Sequence, residues 1–178
     1  MKQSTAMAQI EHWVNQGWLS RLDLAFAKFL QDLEPQADDV LLWAGALVSH
    51  QLGRGEVFLD LEKLATNPGL TLAIPNDEVW QQAPDEQTPQ AFSLLDDLDI
   101  NNWVSVLSQS SLITTGAGNS PLVLDKQRLY LRRYWQYQQV LDQQIGLKLQ
   151  PVRDQLPASL QQTLQALFKD NTDRKSVV

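Results

Sequence analysis

The chain has 178 residues, 43% of them hydrophobic, enough for one ordinary domain with its own core and an appended segment. A formal net charge of −7 argues against autonomous nucleic-acid binding, which needs a basic footprint. The lack of cysteine excludes disulfides, thiolate metal sites and a thiol nucleophile and fits a cytoplasmic protein; no signal-peptide core and no membrane-length apolar run is present, so no membrane partner is expected.

Ile10, Trp13, Val14 and Trp18 follow helical spacing, and Gly17 stands where such a helix would end. Ser20 reads as an N-cap, with Asp23 completing a capping-box pattern. The next helix places Leu22, Phe26, Phe29, Leu30 and Leu33 on one stripe, and Pro35 stops it. Asp38 or Asp39 caps a third helix, Val40 to about Leu52. It is apolar nearly all round and should be the centre of the core, ended by Gly53 and Gly55.

Residues 56–61 alternate as a short strand, with Val57, Leu59 and Leu61 expected on one face. Glu62 to Ala65 fits one helical turn before Asn67-Pro68-Gly69. A short helix is expected over Asp77 to Gln82 and an exposed loop over Pro84 to Gln90. Asp99 can cap a helix carrying Trp103, Val104 and Leu107. Leu112 and Ile113 suggest a strand, followed by the loose stretch TTGAGNS, Thr114 to Ser120. Leu122 to Leu124 and Leu129 to Leu131 form the clearest hairpin, and its glycine-free turn predicts a loop looser than two residues. A polar helix from about Tyr134 to Leu149 follows, broken by Pro151. A final helix puts Leu156, Leu160, Leu164, Leu167 and Phe168 on one stripe.

Charge is unevenly placed. No Lys or Arg lies between Lys63 and Lys126, where Asp77, Glu78, Asp85, Glu86, Asp96, Asp97 and Asp99 all fall; Lys126, Arg128, Arg132 and Arg133 then arrive together. Two readings stand: solvated decoration, or a polarised surface that orients a partner protein.

No catalytic, cofactor or metal residues are assigned. TTGAGNS lacks the Gly-Lys-Ser/Thr ending of a phosphate loop. His12 and His50 have no metal-ligand spacing, and His50 is expected to hydrogen-bond a backbone carbonyl at its helix end. Ser49 and His50 are helical neighbours that do not face each other as a nucleophile–base pair would. Asp96, Asp97 and Asp99 read as helix caps rather than cation ligands. The best candidates for contact with a partner or DNA are Arg128, Tyr130, Arg132, Arg133 and Trp135, with Arg54 at the tip of the Gly53–Gly55 turn. Arg interleaved with aromatics serves single-stranded DNA and protein hot spots alike, and the bland alternative is inward leucines with solvated arginines.

Three segments in order resemble the N-terminal domain of RecD, the alpha subunit of the RecBCD helicase–nuclease, exodeoxyribonuclease V. They are LDLAFAKFL from Leu22 to Leu30, and Leu41 to Leu61 with Ser49, His50, Gly53, Gly55 and the strand to Leu61. The third is Pro121 to Trp135 with Arg128, Leu129, Tyr130, Leu131, Arg132, Arg133 and Trp135. The resemblance implies a domain that docks onto a RecC-like subunit, with a RecB-like subunit in the same complex and DNA as the holoenzyme's substrate. It implies a role in double-strand break repair and recombination. The parent resembles an ATP-dependent 5′–3′ helicase, but GxxxxGK[ST] and the Asp-Glu box are missing from these residues. ATP and Mg are therefore expected only in a motor domain beyond them, and no enzyme is expected in this stretch alone.

The expected architecture is α+β: a helix-dominated domain, residues 1–136, with one small antiparallel sheet including the hairpin. A helical extension, residues 137–178, would lead toward the motor. The first function expected is assembly by docking to the RecC-like subunit; the alternative is a single-stranded-DNA-contacting accessory module using the basic-aromatic hairpin.

Overall fold

The computed structural model describes residues 5–73, 99–149 and 158–168. The helix expected over residues 77–82, the loop over 84–90, Asp96, Asp97, Pro151 and Leu156 lie outside the described residues. The chain divides into two units, Met1–Val140 and Leu141–Val178.

In the first unit, α1 (Thr5–Asn15) buries Ala6, Met7, Ile10 and Trp13 along one face. Its end is a Schellman motif. The Trp18 N–H donates to the Trp13 carbonyl and the Gly17 N–H to the Val14 carbonyl, both at 3.0 Å. Gly17 takes a φ of 77°, where a Cβ would be strained. The turn brings Trp18 edge-on to Trp13, centroids 5.6 Å apart, and Trp13 in turn meets Trp43 at 4.8 Å.

The α2 helix (Arg21–Leu33) starts with the expected capping box. Ser20 Oγ accepts from the Asp23 N–H at 3.3 Å, and Asp23 Oδ2 accepts the Ser20 N–H at 2.7 Å. In α3 (Asp39–Gly53) the cap is Asp38, whose Oδ1 accepts the Val40 N–H at 2.8 Å. This helix is buried continuously from Leu41 to Ser49, and α1, α2, the sheet and the later helices pack around it. The Leu30 side chain of α2 packs onto Gly45, where a Cβ would strike it. A second Schellman motif ends α3: the Glu56 and Gly55 N–H groups donate to the Gln51 and Leu52 carbonyls at 3.0 Å, with Gly55 at a φ of 89°.

The apolar stripe of α2 is split. Leu30 faces the core beside Asp23 and Ala27, while the rest turns away from it. Leu22, Phe29 and Leu33 are 71%, 47% and 51% exposed, and Phe26 is half-buried. The exposed part lies about 100° around the helix from the buried face, since each residue advances that angle.

The strands and helices that follow are β1 (Leu59–Asp60), α4 (Leu61–Thr66), α5 (Pro68–Leu72), α6 (Ile100–Gln109), β2 (Ile113–Thr114), β3 (Leu122–Asp125), β4 (Arg128–Leu131) and α7 (Arg132–Leu149). The sheet order is β1-β4-β3-β2. It is mixed rather than wholly antiparallel: β2 pairs parallel with β3, Ile113 opposite Leu122. Parallel strands usually need a long crossover. Here β2 is two residues long, so the loop 115–121 returns the chain far enough by itself.

The hairpin is tighter than its sequence predicts. Asp125 pairs with Arg128, leaving Lys126 and Gln127 as a two-residue turn. Without a glycine, Lys126 itself takes the left-handed φ of 57°. The first strand is shorter than expected. Asp60 Oδ1 accepts the Lys63 N–H at 3.1 Å and caps α4, so Leu61 is already helical and Val57 is exposed rather than inward.

Leu59, Leu122, Leu124 and Leu129 join the α3 core from one face of the sheet. Burying such a side chain stabilises by about 1.5–3 kcal/mol before entropy is subtracted. Val123 and Tyr130 point to the other face and are buried there too. In the second unit, the apolar side chains Leu141, Ile145, Leu147 and Leu149 of α7 are exposed, as are Leu160, Leu164 and Leu167 of α8 (Ala158–Phe168). Among the described residues, no helix is long and apolar enough to cross a membrane.

Candidate interaction surface

The six residues singled out from the sequence do not form one patch. Tyr130 is 1% exposed, its ring 5.1 Å from that of Phe58, so it offers no face to a base or a partner. Alternation does set it opposite Leu129 and Leu131, but Phe58 helps to cover that side as well. Arg128 is exposed at the strand end and lies over the Phe58 ring, 4.8 Å from its centroid.

Arg54 is held at home. Its Nη1 donates to Gln51 Oε1 at 3.0 Å and to the Thr71 carbonyl at 2.8 Å. It lines a groove of about 430 Å³ with Phe58, Lys63 and Leu70. Glu56 and Asp60 line it too, so cations and anions alternate there, unlike the one-signed track a nucleic-acid strand follows.

Arg132 is the largest departure from the expected solvated arginine. Its Nε donates to the Ser120 carbonyl at 3.0 Å, its Nη1 to the Gly116 carbonyl at 2.5 Å, and its Nη2 to Thr114 Oγ1. The guanidinium fork thus holds both ends of TTGAGNS against the start of α7. This stretch, dismissed above as a phosphate loop, is an arginine-clamped loop. The Arg132 guanidinium also lies 5.5 Å from the centroid of Trp135, which is half-buried with its Nε1 unpartnered among the described residues.

Arg133 stays outside. Its Nε donates to the Tyr137 hydroxyl at 2.7 Å, which raises its already high pKa further. Tyr134 meets Tyr137 edge-on at 6.2 Å, and both rings are exposed. Tyr137 is missing from the sequence-derived set, although its i+4 spacing from Arg133 is a readable signal.

A second feature was only partly legible in the sequence, as the Ser20–Asp23 capping box. Asp23 is 2% exposed and joins the start of α2 to α3. Its Oδ1 accepts from Ser49 Oγ at 2.7 Å, and its Oδ2 accepts from Ser20 Oγ at 2.8 Å with His50 Nδ1 at 3.8 Å. Burial opposes the charge, but the bonds from His50, Ser49 and Ser20 outweigh it and hold the carboxyl below its ordinary value. His50 Nε2 lies 2.9 Å from a backbone carbonyl, that of Leu72 at the end of α5 rather than one at the end of its own helix. Ser49 donates to Asp23 and not to His50, so no nucleophile–base pair exists. Among the described residues, no group of three or more metal-ligating side chains converges.

Helices wrapped around one buried helix, backed by a four-stranded sheet, define a helix-dominated α+β module. Arg54, Arg132 and Asp23 are spent on internal clamps, and part of its apolar surface is turned outward. The model of the family described as RecBCD enzyme subunit RecD, N-terminal domain, matches residues 15–130, and the chain belongs to that family. The match takes in two of the three resembling segments whole and the third as far as Tyr130. No curated protein matches the chain.

Proposed function

We propose that this chain is the assembly module of a RecD-like subunit, holding it in a RecBCD-type complex by docking onto the RecC-like subunit. A RecB-like subunit stands in the same complex, and DNA is the substrate of the whole. In that reading residues 1–136 dock and residues 137–178 lead toward a motor domain. ATP and Mg belong to that motor, and the setting is the cytoplasm, where double-strand breaks are repaired.

The observation that carries this reading is the use of Tyr130 and Arg132. The ring is buried, and the guanidinium that follows the hairpin is committed to three acceptors in the loop before it. A hairpin with its aromatic buried and its flanking loop clamped is rigid, and rigid elements suit docking better than they suit gripping a flexible strand. Co-purification tests it: the chain mixed with the cognate RecC-like subunit should elute with it from a sizing column.

The second reading is a single-stranded-DNA contact at Arg133, Tyr134 and Tyr137, where a cation and two exposed rings lie together. It calls for steeply salt-dependent binding of oligonucleotide.

A further inference from the structure

We infer that the outer stripe of α2 is the docking face itself, and that its occupant is an amphipathic helix of the partner subunit. This rests on the assembly reading above. The stripe is Leu22, Phe26, Phe29 and Leu33, spaced 4-3-4, the spacing at which one helix offers knobs to another. It runs along about 16 Å of helix.

Three observations carry it. The stripe is exposed on a rigid base. Phe26 packs partly against the core and stacks on Phe29, centroids 6.1 Å apart, so the outward rings are ordered before any partner arrives. It is also contiguous with the buried face of α2, whose Leu30 presses on α3 at Gly45. A docked helix would therefore extend the existing core rather than found a new one.

Charge selects the occupant. Along the edge of the stripe nearer α1 run Arg21, Lys28 and Asp32. Lys28 is already paired with Glu11 at 2.8 Å. No ion pair among the described residues involves Arg21 or Asp32, so the stripe has a cation at its N-terminal end and an anion at its C-terminal end. The matching helix carries apolar residues at 3–4 spacing, an acid opposite Arg21 and a base opposite Asp32. The order Leu-Phe-Phe-Leu is also symmetric, so a second copy could fit in outline. Each copy carries a net charge of −7, however, so two copies would repel.

The test is titration of this chain, wild type and variants, against the cognate RecC-like subunit, with sedimentation of the chain alone. Leu22→Asp and Phe29→Asp change exposed side chains, and circular dichroism checks that each folds. Gln139→Asp, a charge-matched change on α7, is the control. Loss of at least 100-fold in affinity for both stripe variants, with the control within twofold of wild type, is expected. Arg21→Glu should slow association severalfold and flatten its salt dependence. Binding undiminished in folded stripe variants would overturn the α2 face while leaving the assembly reading standing. A wild-type chain that does not bind would overturn both. A dimer in sedimentation that the stripe variants abolish would overturn the partner-helix occupant in favour of a second copy.

Discussion

The Ser49 hydroxyl donates to Asp23 Oδ1 at 2.7 Å, joining two residues 26 positions apart inside the core. Through it the N-terminus of α2 is tied to the C-terminal half of α3. The same carboxylate caps Ser20 and faces His50, whose other ring nitrogen reaches the end of α5. One buried charge therefore sets the relative position of three helices.

Asp23→Asn should destabilise the fold by about 2–3 kcal/mol, because an amide cannot accept all of these bonds. The sign of the pH effect follows from the lowered folded-state pKa. Wild-type Asp23 contributes fully above the unfolded-state value of about 3.9, and the contribution is lost as pH falls from there through the folded-state pKa. Urea unfolding at pH 7 and pH 3 checks this: the gap between wild type and Asp23→Asn should be narrower at pH 3 than at pH 7.

Arg132→Lys should behave like a deletion rather than a conservative change. Lysine is a point charge and cannot span the Ser120 and Gly116 carbonyls together with Thr114. A loss of about 1–2 kcal/mol is expected, with faster amide exchange confined to residues 114–120. If exchange there is unchanged, the clamp is decorative.

Tyr130 and Arg128 are neighbours on β4 with opposite roles. Tyr130→Ala should cost about 3 kcal/mol or more by opening a cavity beside Phe58. Arg128→Ala should cost less than about 1 kcal/mol, the range of an exposed cation over a ring. Thermal melts of the two variants separate a core tyrosine from a surface one.

The hairpin turn offers a gain. Lys126 occupies a left-handed φ that glycine adopts freely. Lys126→Gly should stabilise by about 0.5–1 kcal/mol after the larger unfolded-state entropy of glycine is subtracted. A lowered melting temperature would show that the lysine side chain contributes more than its backbone strain costs.

Much of the fold is readable from local chemistry. Ser20 with Asp23, Asp38, Gly17 and Gly55 mark helix ends because capping depends on neighbours in sequence. The all-apolar run from Leu41 to Val48 marks the core because no exposed helix could carry it. The orientation of α2 is not readable this way. Its apolar arc is wider than α3 can cover, and the buried Asp23 imitates a solvent-side residue until Ser49 and His50 converge on it. The parallel pairing of β2 and the burial of Tyr130 likewise depend on loop 115–121 and on Phe58, which sequence spacing does not place. Of the candidate site, Arg54, Arg128 and Arg133 remain on the surface. Arg54 and Arg132 bond within the chain because their acceptors are carbonyls, which a sequence displays at every position alike.

The central proposal, assembly by docking, is tested most directly by calorimetry of the chain with its cognate RecC-like subunit at low and high salt, with single-stranded DNA titrated in parallel. Docking predicts affinity for the subunit that changes little with salt, and no appreciable heat with DNA. A grip of about three phosphates would instead weaken about 100-fold over a tenfold rise in salt. DNA binding of that kind, with no binding to the subunit, would contradict the account.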